Sequence, residues 1–231
     1  AGRRVGMRAP RVLHEDNHLL VLEKPACLPC VPDSSEDPSL LDWGKQYVKE
    51  TYDKPGAVFL GVVHRLDRPV SGVVLFARTS KAADRLSAQF RERTVEKTYL
   101  GVASGEAPSE SGLLEQWLVK DTEANRVHIA TEGDEGARSA VTEWRALERR
   151  GDLTLFELKP RTGRPHQLRV ACKSLGAPLA GDLKYGASEP LPDKSIALHA
   201  AHLAFDHPTR KERLEFSASP PDVAVWKGWR L

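Results

Sequence analysis

The apolar residues of this chain fall into short runs separated by loops, and the spacing within each run assigns an element. Leu19 to Glu23 reads "LLVLE", a buried strand after an Asp16-Asn17 turn. Pro25 to Pro38 is loop, followed by a helix over Leu40 to Glu50. Gly72 to Ala77 ("GVVLFA") is a second buried strand. Thr79-Ser80 then supplies an N-cap, and Ala82, Ala83, Leu86 and Phe90 share one helical face opposite Lys81, Asp84, Arg85 and Arg91. Thr98 to Ala103 returns as a strand, and Ser104 to Gly112 is loop-like.

Further strands are predicted over Leu114 to Lys120, Arg126 to Ala130, Ala140 to Leu147 and Leu153 to Lys159. A helix is predicted to begin at Pro165, where the missing N–H costs nothing, and to stop before Gly176 and Pro178. Ala197 to Phe205 and Arg213 to Ser217 close the chain as strands. Many strands with few helices between them predict an α+β fold with a mixed, largely antiparallel sheet rather than a doubly wound parallel one. With no repeat and no long linker, the 231 residues are expected to form one domain, 1–231.

Composition is that of a folded protein, 40% hydrophobic and 29% charged, with a net charge of only +2. The distribution of charge changes that picture. Lys159, Arg161, Arg164, Arg169 and Lys173 form a basic strip without an acid, as a phosphate-backbone footprint requires. No apolar run reaches the roughly 20 residues of a membrane span. The N-terminal "AGRRVGMRAP" is basic but lacks the apolar centre of a signal peptide. Three cysteines, an odd number, argue against a disulfide framework and for a reducing, cytoplasmic setting.

Several motifs lead nowhere. Cys27-Leu28-Pro29-Cys30 lies in a proline-laden loop rather than at a helix start, so it lacks the setting of a redox dithiol. It also lacks a second C-x-x-C for zinc, and His199 and His202, three apart on a strand, face opposite sides. Ser71 is not in a G-x-S-x-G elbow, and neither GxxxxGK[ST] nor GxGxxG occurs. At 6% aromatics there is no broad stacking platform for single strands.

Two segments remain. "VHRLDRPVSG" places Asp67 between Arg65 and Arg68 at the entrance to a buried strand. An acid so flanked is often a plain surface ion pair. "RTGRPHQLRV" concentrates donors at a predicted helix N-terminus, which favours anions, with His166 and Arg169 on one face. An arginine held beside Asp67 would keep a carboxylate ionised and oriented, a poor general acid but a usable nucleophile.

These residues resemble a known family. "HRLDRPVSG" resembles the H-R-L-D-x-x-T-S-G signature of the RluA-type pseudouridine synthases. "EDNHLLVLEKP", "FRERTVEKTYLGV", "LKPRTGRPHQLRV" and "GAPLAGDLKYG" with "ALHAAHLAFDHP" resemble other segments of that family, in order, from about Arg11 to Ser217. The resemblance implies a short form of the family, in which no N-terminal RNA-binding domain is expected. Val70 stands where the signature has threonine, and Cys27 where a glycine usually follows Lys-Pro. If that position needs a positive φ, the cysteine strains the loop.

The resemblance implies a pseudouridine-synthase fold, with a central, mainly antiparallel sheet, helices and loops around it, and a cleft across its middle. It implies isomerisation of uridine in RNA with no metal or cofactor. Asp67 is implied as the nucleophile, Tyr99 as the residue against the base and Arg169 as the partner of Asp67. Flipping the base out of its stack suits Arg65, with Arg68 a weaker candidate. Lys97, Arg161, Arg164 and Lys173 would contact phosphates, and His64 and His166 would line the RNA site. The partner is ribosomal or transfer RNA, with ribosomal favoured, and a monomer is expected. The alternative is an RNA-binding chaperone of the same fold without catalysis.

Overall fold

A computed structural model describes residues 9–231, so the basic N-terminal stretch singled out above lies almost wholly outside the described residues. The described chain divides into two compact units. One holds the chain up to Glu96 together with His202–Ser219, and the other holds Lys97–Ala201 with Pro220–Leu231.

The first unit is built on β1 (Arg11–Glu15), β2 (Leu19–Lys24), β3 (Gly61–Val62) and β4 (Ser71–Ala77), with α1 (Leu40–Thr51) and α2 (Ser80–Glu92). β2 pairs antiparallel with β1 on one side and with β4 on the other, Leu19 opposite Ala77. Leu19 to Leu22 and every residue of β4 are buried, which is why these strands read as unbroken apolar runs rather than alternating ones. The two-residue period sorts the faces. Leu19 and Val21 join Val73, Leu75, Ala82 and Leu86 in one core beneath α2. Leu20 and Leu22 face α1, which packs closely at Gly44: a Cβ there would lie 3.0 Å from Leu60 Cδ1 and 3.3 Å from Leu20 Cδ2.

Both helix starts follow the sequence. Ser39 and Asp42 form a capping box on α1, and Thr79 Oγ1 accepts the Ala82 N–H on α2. The β1–β2 turn is tied by Asp16, whose Oδ1 accepts the N–H groups of His18 and Leu19. β1 and the two-residue β3 were not predicted: "RVLHE" has too few apolar positions to show a strand period.

The second unit holds β5 (Glu96–Ser104), β6 (Ser111–Asp121), β7 (Arg126–Ala130), β8 (Arg138–Arg150) and β9 (Leu153–Pro160), antiparallel in the order β5-β9-β8-β6-β7. α3 (Gln167–Ser174) covers part of it, burying Val170 with Leu118, Val127, Ala140 and Tyr185. The helix begins two residues later than Pro165 suggested, because His166 takes a left-handed conformation (φ 51°) and becomes the residue before the first turn. Trp226 packs with Val102, Leu155 and Ala197. β10 (Leu198–Asp206) and β11 (Arg213–Ser217) follow, and His202 to Asp206 pair antiparallel with β11 in the first unit. The fold class is α+β, and the strand pairings described above are all antiparallel. Among the described residues no helix is long and apolar enough to cross a membrane.

Candidate active site

In the first unit, Asp67 sits between buried Leu66 and a turn closed by a hydrogen bond from Val70 N–H to its own carbonyl (3.0 Å). β4 starts four residues later, so a rigid strand fixes the loop from one end. Lys24 fixes it from the other. This lysine ends β2 and is fully buried, and its ammonium donates to the carbonyls of Leu28 (2.7 Å), Arg68 (3.0 Å) and Pro25 (3.1 Å). Burial pushes its pKa down to about 8. One cation therefore ties the turn after β2 to the carbonyl next to Asp67. That turn contains Cys27 at φ 65°, the positive φ that a glycine would occupy without strain. Cys30 is buried, its sulfur accepts the Leu66 N–H, and burial raises its pKa.

The neighbours of Asp67 divide by exposure. Arg65 is exposed. His64 holds the loop instead: its Nε2 accepts the Leu75 N–H (2.9 Å), and its ring stacks on Phe90 at 4.8 Å. Arg68, expected to face RNA, binds the acidic loop before α1, reaching Asp37, Ser35 Oγ (2.8 Å) and Asp33 (3.5 Å). Nothing local in the chain hints at that brace, because the acids lie 31 to 35 residues away.

In the second unit, Tyr99 lies on β5 opposite Leu158, half-buried. Lys97 is two residues earlier and so on the same face. Its ammonium reaches the Thr162 carbonyl at 3.5 Å, and burial pushes its pKa down to about 8. The "RTGRPHQ" turn has no side-chain N-cap and is held by two buried polar residues instead. Thr162 Oγ1 accepts the Val141 N–H and donates to Gln167 Oε1, which also accepts the Arg164 N–H. The Gln167 amide in turn donates to the Val141 carbonyl and to Thr142.

Arg169 follows on α3 and is 7% exposed. Its Nε and Nη2 form a bidentate pair with Asp182 at 2.8 and 2.7 Å, and Asp182 is 1% exposed. The Tyr185 ring lies 5.0 Å from the guanidinium carbon. The Tyr185 hydroxyl accepts the Val127 N–H (2.8 Å) and is 2.6 Å from His166 Nδ1. His166 and Arg169 thus meet on Tyr185, although His166 precedes the helix rather than sharing its face. Asp182 and Tyr185 were missed as site residues. Their signal was an acid and a phenol in the glycine-flanked "GDLKYG", which no local pattern links to α3.

The basic strip is largely occupied. Arg161 pairs with Glu143 across the sheet, Lys159 with Glu157 (3.4 Å), and Arg164 Nε donates to the Ser139 carbonyl (2.9 Å). Lys173 is exposed.

Comparison with known proteins leads to the same family as the signature. Residues 18–174, more than half of the chain, match the family model for RNA pseudouridylate synthase. The chain is 38% identical to the dual-specificity RNA pseudouridine synthase RluA of Pasteurella multocida, covering 90% of this chain and 92% of that protein. It is 33% identical to ribosomal large subunit pseudouridine synthase C of Vibrio cholerae, covering 90% of this chain but 64% of the longer relative. The solved structure of human RNA pseudouridylate synthase domain containing 1 superposes with a TM-score of 0.72 at 28% identity, covering 96% of this chain and 88% of that one. Asp67, Tyr99 and Arg169 all fall within the matched segment. The chain belongs to the RNA pseudouridine synthases, isomerases that modify RNA.

Proposed function

We propose that this chain isomerises uridines of ribosomal or transfer RNA to pseudouridine, with Asp67 as the nucleophile, Tyr99 against the base and Arg169 orienting the reacting carboxylate. The bond from the sugar to ring nitrogen 1 breaks, the base turns, and the sugar bonds to ring carbon 5, whose hydrogen leaves as a proton. Uridine and pseudouridine are isomers: the proton lost from carbon 5 is balanced by the one that ring nitrogen 1 takes up, so no oxidant or external group is required. The observation that carries this reading is the H-R-L-D-x-x-x-S-G segment within the matched region, with its aspartate carried on a turn tied by a buried ammonium. Exposed Arg65, two residues before Asp67, is the side chain suited to the space left by a flipped base. Ribosomal RNA is favoured because relatives named for the ribosomal large subunit are among those matched; a dual-specificity relative keeps transfer RNA in play.

The test is tritium release from RNA labelled at uracil carbon 5, offered as separate unmodified ribosomal and transfer pools. Release from the ribosomal pool supports the reading in full, and release from the transfer pool alone reassigns the substrate. Retention of RNA without release from either pool would favour the chaperone.

A further inference from the structure

The pair formed by Arg169 and Asp182 holds more than a buried charge. An arginine offers five N–H donors in a flat fork. Asp182 takes the edge formed by Nε and Nη2, which sets the plane of the guanidinium and turns the Nη1 end toward any further acceptor. The Tyr185 ring closes one face of that plane. Asp182 is itself held rigidly. Leu179 and Ala180 are bonded to β5, where Ala180 N–H donates to the Val102 carbonyl (2.9 Å). Gly181 then makes the turn at φ 81°, where a Cβ would stand 2.7 Å from the Ser195 carbonyl oxygen. The strand that carries Tyr99 therefore also fixes the acid that aims Arg169.

We propose that Asp182 is a positioning residue for the isomerisation, acting through Arg169: it fixes the guanidinium plane and balances its charge. The proposal rests on the reading that Arg169 serves the reacting carboxylate. Balance matters as much as aim. A lone buried guanidinium would hold a second carboxylate tightly and blunt its nucleophilicity. With one carboxylate already on the fork, Arg169 presents oriented donors with little net charge. It can then orient the nucleophile without quenching it.

The experiment is a double-substitution cycle with Asp182→Asn, Arg169→Met and the two combined, read by single-turnover tritium release and by RNA retention. Asp182→Asn is expected to lower the single-turnover rate by about 10- to 100-fold while RNA affinity stays within about twofold, the scale of a reacting group misplaced by about an ångström. In the Arg169→Met background the same substitution should change the rate by less than about twofold. Because an unpaired buried guanidinium strains the fold, Asp182→Glu is measured alongside. It keeps the charge but displaces the fork, and a lowered rate is expected at a temperature where its unfolding curve shows the variant fully folded. A wild-type rate in both Asp182 variants overturns the proposal, as does an undiminished cost of Asp182→Asn when Arg169 is already methionine. A wild-type rate in Arg169→Met alone instead removes the role given to Arg169.

Discussion

Lys24→Met separates the brace of the Asp67 loop from the chemistry. The substitution removes a fully buried ammonium and leaves the carbonyls of Pro25, Leu28 and Arg68 without that donor. Each carbonyl so stranded costs about 1–3 kcal/mol, or roughly 3–9 in all. Against this, the buried ammonium itself is held at a disadvantage. Its pKa falls from 10.5 to about 8, which at about 1.4 kcal/mol per unit is roughly 3 kcal/mol recovered at neutral pH. Methionine fills the same channel with little strain. The difference spans about 0–6 kcal/mol, and its middle, about 3 kcal/mol, agrees with the removal of one partner from other buried charge contacts. For a chain of this size that lowers the unfolding midpoint by about 5–15 °C.

The pH dependence carries the sign. Between about pH 8 and pH 10.5 the folded state binds fewer protons than the unfolded one, so wild-type stability rises with pH across that window. Lys97 contributes a similar slope in both proteins and cancels in the difference. Denaturant unfolding of both proteins from pH 7 to pH 10.5 measures it. The gap between them should be smallest at neutral pH and widen toward pH 10.5. Equal stability at pH 7, or an identical slope in the two proteins, would refute the account of Lys24. Turnover should fall with the loosened Arg68 carbonyl while RNA affinity holds.

Two other perturbations follow from the same unit. Cys27→Gly relieves a positive φ and should be at least about 1 kcal/mol more stable than Cys27→Val, whose branched side chain resists that conformation; equal unfolding midpoints would remove the strain argument. Asp16 is pushed up by partial burial, yet hydrogen bonds from the His18 backbone, His14, His207 and the Leu19 backbone bring its pKa down to about 2. The stability this gives is full above about pH 4 and is lost as pH falls toward 2. Asp16→Asn should cost about 1–2 kcal/mol at pH 7 and flatten the acid limb of a stability profile; an unchanged acid limb would contradict it.

The elements were legible where burial is complete or the cap is local. β2 and β4 announce themselves as apolar runs because both faces are covered, and Thr79 marks the start of α2 because its hydroxyl lies three residues from the N–H it accepts. Asp67, Tyr99 and Arg169 could be named from motifs that are local in sequence. What holds them was not legible. The Lys24 contact to Arg68 spans 44 residues and that of Arg68 to Asp37 spans 31, and both depend on loops whose path no periodicity records. His166 misled because proline at 165 suits a first helical turn, whereas the network through Thr162 and Gln167 forces one left-handed residue before it. The pairing of the basic strip was legible only in part: Lys159 meets Glu157 two residues away on its own strand, whereas Arg161 reaches Glu143, 18 residues away in sequence.

The central claim is that the proposed isomerisation depends on the carboxylate of Asp67. Its most direct test is tritium release from the RNA pool that the wild-type protein modifies, measured with Asp67→Ala and Asp67→Asn at enzyme in excess of RNA. The account predicts no release above background from either variant, with unfolding midpoints and RNA retention close to those of the wild type. Release by a well-folded Asp67→Ala protein at more than a few per cent of the wild-type rate would contradict it.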